Sequence, residues 1–412
     1  MSTPGPFGPM NPFEGMPIFG DLAKMFQNQG PVNWEIARQI GIYMAAEGRA
    51  ESNVEPLERI RLEELARVAE LHIAEKTGLA TSITGRSVSI RATTRAEWAA
   101  LALEAYRPLF ERLAESLGRG SLSAPGGADA ADLGRLLGQG ADPGDEGGAG
   151  GVDPEALLGN MMQVMAPAIL GMQLGLMVGH LARKALGPYD LPIPRPASDE
   201  LVIVPANLEQ FAADWSLPPD DVRLWVCLDA ITHHAVLGRP HVRARLESLL
   251  NEYAGGFQPD PDAMSGRLER LDPSNQSSWE DVFGDPEALL GSMESPRQRE
   301  IKPELEALTV TIEGYVDWVL DDVGGRLIGS YGPLSEALRR RRVEANSGDR
   351  FVERLFGLEL SQRQYDRGQA FVRGVVERAG EAGLVRLWHS ERELPTPPEV
   401  DAPGLWLARI DL

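Results

Sequence analysis

The chain has 412 residues, enough for one large core or for two to four domains at roughly 100–200 residues each. Sixty-one Asp and Glu against forty Lys and Arg give a net charge of −21, a balance that repels nucleic-acid phosphates and anionic membranes and argues against a general nucleic-acid partner. Cys227 is the single cysteine, which excludes an intrachain disulfide and a thiolate-rich metal site and points to a reducing cytoplasm.

Residues 1–30 are rich in Gly, Pro, Phe and Met and lack the basic start and unbroken apolar run of a signal peptide. They read as a mobile N-terminal arm, in which Ile18, Phe19, Leu22, Met25 and Phe26 can form one short amphipathic turn. Residues 31–117 form a helical block. Trp34 to Ala46 and Pro56 to Lys76 are predicted helices, Ser87 to Ile90 alternates like a strand, and Thr93 and Thr94 with Glu97 start a helix through about Leu117. Residues 118–152 carry Gly, Ala, Ser and Asp with little to bury, the composition of a flexible insertion.

The remainder, 153–412, reads as a helical body that is expected to form one compact unit with 31–117. Ala156 to Ala182 has no charged residue and is long enough to span a bilayer. Its Asn160, Gln163, Pro167, Gln173 and His180, and the absence of a second such span, favour a buried helix instead. Gly171, Gly175 and Gly179 then lie on one face where another backbone can approach. Leu201 to Val204 resembles a strand, Asn207 is placed to cap a helix through Trp215, and helices follow from Asp220 or Asp221 to Leu237 and from His241 to Tyr253. Residues 256–295 read as a long loop. Helices are predicted again over Lys302 to Leu327, Pro333 to Val343, Asp349 to Leu355 and Gln362 to Ala382, and Leu405 to Ile410 as a last short strand.

One helix carries a candidate for chemistry. In Trp225-Val-Cys-Leu-Asp229-Ala230-Ile-Thr-His233-His234-Ala, Asp229 and His233 stand at i and i+4 and face the same point. Zinc peptidases use that spacing in H-E-x-x-H, where two histidines hold the metal and the Glu serves as base. Alone, the pair reads as an ordinary Asp–His contact on a helix surface. His241 falls one residue too late to extend the motif to a third histidine. It reads as the solvated start of the next helix, and His234, turned about 100° from His233, reads as a surface or inter-helix residue.

The surrounding text resembles a bacterial zincin-like metallopeptidase family, loosely associated with deazaflavin-coenzyme biosynthesis, whose helix reads approximately W-x-x-L-H-E-V-T-H-x-A. Trp225, Leu228, Thr232, His233 and Ala235 match. A second block of the family, L-E-G-H-x-D-x-V-M-D-x-V-G, is similar to the run Ile312-Glu313-Gly314-Tyr315-Val316-Asp317 to Gly324. The resemblance continues through Leu186-Gly187-Pro188-Tyr189-Asp190-Leu191-Pro192, Gln364-Tyr365-Asp366-Arg367-Gly368, Leu394-Pro395-Thr396 and Trp406-Leu407-Ala408-Arg409. It implies a mainly α fold of zincin-like type with a few short strands.

Carried over residue by residue, the resemblance implies a metal set of Asp229, His233 and Glu313. It also places Ala230 where the catalytic Glu belongs, Asp229 where the first His belongs, and Tyr315 where the His of E-G-H belongs. His234, Tyr315 and Asp317 are expected as further residues of the cleft. Asp, His and Glu are all acceptable donors to zinc or another divalent ion, but no base is positioned to take a proton from metal-bound water, a loss of about 10²- to 10⁴-fold. The resulting expectation is a degenerate, non-hydrolytic member that binds a peptide or protein in the former substrate cleft, with metal optional and structural. The alternatives are an active zinc-dependent peptidase or hydrolase using the Asp/His/Glu set, with Asp317 as the base, and a structural or assembly subunit.

Overall fold

The computed structural model describes residues 30–121, 154–257, 295–343, 353, 355–358 and 361–411. The proposed arm turn near Phe19, nearly all of the Gly-rich insertion and of the 256–295 loop, and most of Asp349 to Leu355 lie outside the described residues. The protein is mainly α-helical, as the patterning predicts. In chain order the elements are α1 (Trp34–Ala45), α2 (Pro56–Thr77), β1 (Ser89–Ala92), α3 (Arg95–Ser121), α4 (Pro154–Ala182), β2 (Glu200–Ile203), α5 (Pro205–Asp214), α6 (Pro219–Leu237), α7 (Pro240–Gly255), α8 (Pro296–Leu327), α9 (Tyr331–Val343), α10 (Gln362–Val385), α11 (Pro397–Asp401) and α12 (Pro403–Ile410). Proline opens most of these helices, because its fixed φ suits the first turn and its missing N–H has no intrahelical partner to lose. At α8 a reciprocal cap is added: Ser295 accepts from the Gln298 backbone while the Gln298 side chain accepts from the Ser295 N–H.

The two strands pair in parallel, Ser89 opposite Glu200 through Ala92 opposite Ile203. Around them the helices bury one continuous core that runs from Val32 to Trp406. The glycine stripe of α4 lies against α1. A Cβ on Gly171 would lie 2.3 Å from the Asn33 carbonyl oxygen, one on Gly175 2.5 Å from that of Ala37, and one on Gly179 2.6 Å from Met44 Cβ. Among the described residues no helix is long and apolar enough to cross a membrane.

Three local expectations are corrected. Leu405 to Ile410 is helical, not extended: Pro403 opens α12, and Trp406 is buried with its indole N–H donating to the Glu393 carbonyl. Asn207 does not cap α5, which starts at Pro205; its side chain instead donates to the Ala182 and Ala185 carbonyls and accepts from Arg95, tying the end of α4 to α3. The helix expected to stop near Leu117 runs on to Ser121.

Candidate functional site

Helix α6 is buried on nearly all sides, so the polar residues on it must find partners within the protein. Cys227 behaves as a packing residue: it is fully buried, and burial pushes its thiol pKa up to about 12. One turn along, the i, i+4 spacing brings Asp229 to His233, as the sequence predicts, with His233 Nδ1 3.4 Å from Asp229 Oδ1 and 3.1 Å from the Asp229 carbonyl. Helix α8 crosses the other edge of the imidazole, where Glu313 Oε1 lies 3.2 Å from Nε2. Each ring nitrogen therefore faces only oxygen acceptors, an arrangement that the doubly protonated imidazolium satisfies. Burial pulls the His233 pKa down, but the charges of Asp229 and Glu313 outweigh it and hold the pKa well above the ordinary histidine value.

Asp229, His233 and Glu313 are thus brought together, but in a line: the ring separates the two carboxylates. A zinc ligand set needs neutral imidazole and donors that meet at one point about 2 Å from each. An oxygen lies within hydrogen-bond distance of each His233 nitrogen, and among the described residues no group of three His, Cys, Asp or Glu side chains is placed to hold a metal ion. As arranged, the set does not fit a tetrahedral zinc site. Ala230 presents a fully buried methyl group where the family pattern has its Glu.

The three residues expected beside them stand one layer back. Tyr315 is buried against Trp388 and Trp318, its ring edge-on to Trp388 at 5.1 Å. His234 is fully buried rather than at the surface: its Nε2 donates to Asp199 at 3.0 Å, and its Nδ1 takes the Tyr189 hydroxyl at 3.0 Å. Burial lowers the His234 pKa against the pull of Asp199, which suits the neutral tautomer. Asp317 holds Arg342 through two contacts at 3.2 and 3.3 Å and accepts from Gln369. His241 is half-buried, its Nε2 enclosed without a hydrogen-bond partner, rather than solvated.

A cleft of about 390 Å³ opens over Asp229, His233 and Glu313. Seven aromatic side chains line it, Trp98, Tyr106, Tyr189, Phe211, Trp215, Trp225 and Tyr365, although aromatics make up only 6 % of the chain. Tyr189 stacks on His233, with ring centroids 5.6 Å apart at 20°, while its hydroxyl reaches His234. Arg341, bound to Asp190 at 2.9 Å, and Arg342, 4.2 Å from the Tyr365 ring centre, form part of the opposite lining. Sequence reasoning missed Tyr189, Tyr365 and the two arginines as site residues. Their signal lay in the blocks around Tyr189-Asp190 and Tyr365-Asp366 and in the basic run Arg339 to Arg342, whose first two members pair with Glu336 on the surface.

The profile of a zincin-like metallopeptidase family matches residues 32–407. The chain belongs to the zincin-like metallopeptidase family. A crystal structure from Chloroflexus aurantiacus, described as that of a candidate hydrolase with a novel fold, superposes with a TM-score of 0.61 at 24 % identity, covering 92 % of this chain and 99 % of that one. At that identity the likeness speaks for the shared fold. No curated protein matches this member of the family.

Proposed function

We propose that this family member is non-hydrolytic and uses the cleft over His233 to bind a peptide or protein segment. The observation that supports the reading is the imidazole of His233 held between Asp229 and Glu313, with the two carboxylates at opposite nitrogens and so not converging on one point. The buried methyl of Ala230 removes the general base as well. What persists is a pocket of ligand-binding size lined by seven aromatic and nine charged side chains, a composition that can hold apolar and polar side chains of an extended segment.

The test is a paired measurement on untagged protein prepared without chelators: bound zinc and other divalent metals per chain, and capture from a peptide library, for wild type and His233→Ala. We expect metal far below one per chain and retained peptides that are recovered uncleaved. Near-stoichiometric metal that disappears in His233→Ala, together with peptide cleavage, would overturn the reading in favour of a working hydrolase on Asp229, His233 and Glu313.

A further inference from the structure

Helix α2 is apolar on two opposite faces. Leu62, Ala66, Ala69 and Ile73 are buried against the core. About half a turn away around the helix, Leu57, Ile60, Val68 and Leu71 are 64, 53, 42 and 66 % exposed. With the exposed Glu64 between them, these residues recur at steps of three, four, four and three, the spacing of a seam that packs against another helix. Isolated exposed aliphatic residues need no explanation, but four on one continuous helical line leave a face without a partner among the described residues.

The stripe is also symmetric about Glu64. Leu57 and Leu71 lie seven residues to either side, Ile60 and Val68 four, and Arg61 and Arg67 three. A two-fold axis at Glu64 therefore sets Leu57 of one copy at the level of Leu71 of the other, and Ile60 at the level of Val68. An isologous contact requires this self-complementarity, in which one patch meets itself turned around. The charges agree with it. The two Glu64 side chains meet at the axis, and Arg61 and Arg67, on opposite sides of the seam, set an arginine of the other copy one turn above and one turn below each of them, which offsets their repulsion while the arginines stay apart. Both arginines are solvent-exposed, and among the described residues each has one long ion-pair contact, 3.7 Å from Arg61 to Asp220 and 4.0 Å from Arg67 to Glu63, so each can turn across the axis.

We infer that the exposed face of α2 is a homodimer interface: two copies of this chain pair antiparallel through Leu57, Ile60, Val68 and Leu71, with the two-fold axis at Glu64. This surface is separate from the cleft, so it stands or falls independently of the peptide-binding reading.

The experiment is sedimentation equilibrium of the full chain at micromolar concentrations, combined with single-cysteine cross-linking; the buried Cys227 does not compete. Wild type is expected at twice the mass of one chain, and the double variant Leu57→Glu, Leu71→Glu at the mass of one chain with an unchanged circular dichroism spectrum. Under mild oxidation Glu64→Cys cross-links to itself, because that position lies on the axis. Leu57→Cys alone does not, but it does when mixed with Leu71→Cys. A chain that stays monomeric, a dimer that survives the two glutamates, or self-cross-linking of Leu57→Cys as ready as that of Glu64→Cys would each overturn the inference.

Discussion

Gly314 and Gly368 meet backbone to backbone: a Cβ on Gly314 would lie 2.3 Å from the Gly368 carbonyl carbon, and one on Gly368 2.1 Å from the Val310 carbonyl oxygen. This close approach presses α10 onto α8 and brings Tyr365 to the same cleft as Glu313. It also gives a physical reason for the glycine in each of the two family blocks. Either Gly314→Ala or Gly368→Ala forces the helices apart, with an expected cost of about 2–3 kcal/mol, read from the urea midpoint at unchanged slope. Peptide capture should fall with it, since one wall of the cleft moves.

The α1–α4 contact predicts a graded series. Gly175→Ala places a methyl 2.5 Å from the Ala37 carbonyl and should cost about 1–3 kcal/mol. Gly329, where an added Cβ meets nothing within 4 Å, serves as the control, and Gly329→Ala should change stability by no more than about 0.5 kcal/mol. Equal effects at the two sites would mean that the close approach at Gly175 does not set the cost.

Removing His233 leaves the Asp229 and Glu313 carboxylates buried without their shared cation. His233→Ala is expected to destabilise by about 3 kcal/mol near neutrality; because the folded state holds the His233 pKa above its ordinary value, the stabilisation is complete below about pH 6.5 and is lost as the pH rises through the higher folded value. Thermal melts of wild type and variant at a series of pH values check this. A loss that does not depend on pH would show that packing under Tyr189 is the whole effect.

Asp199 predicts the acid limb of stability. Burial alone would raise its pKa, but hydrogen bonds from Thr84, His234 and Ile83 outweigh it and hold the carboxyl below its ordinary value. The folded state therefore binds that proton more weakly than the unfolded state. The stabilisation is complete above the unfolded value of about 3.9 and is lost as the pH falls through the lower folded value. Asp199→Asn should lower the urea midpoint near neutrality and flatten its decline below about pH 4.

Cys227 gives a probe of opening. With its thiol buried and its pKa pushed up to about 12, it should resist thiol reagents in the native state and react at the rate of unfolding. Rapid reaction without denaturant would show that α6 is loosely held.

Apolar periodicity and prolines make most helices legible in the sequence, because both act within a few residues. The α4 glycine stripe is readable for the same reason. Leu405 to Ile410 misleads because a short apolar run satisfies a strand and a buried helix alike, and only the preceding proline and the pocket for Trp406 decide between them. At the site, i, i+4 spacing reveals Asp229 and His233 but is silent on Glu313, which comes from a helix eighty residues on and is reached through the resemblance alone. His234 shows the limit most clearly. Its partners Tyr189 and Asp199 both lie in the connection between α4 and β2, 45 and 35 residues before it, so nothing local in the sequence separates a surface histidine from this buried one.

The pairing of β1 with β2 also bears on how the chain is made. Ser89 to Ala92 have no strand partner until residues 200–203 exist, and His233 lacks its second carboxylate until Glu313 has followed. On a ribosome, where chains fold as they emerge from the N-terminal end, the first 200 residues therefore cannot close their own sheet. The cleft is completed only when Tyr365 arrives on α10. The cleft is in this sense completed late in synthesis, and a chain truncated before residue 365 should retain helices but lack the Tyr365 wall of the cleft.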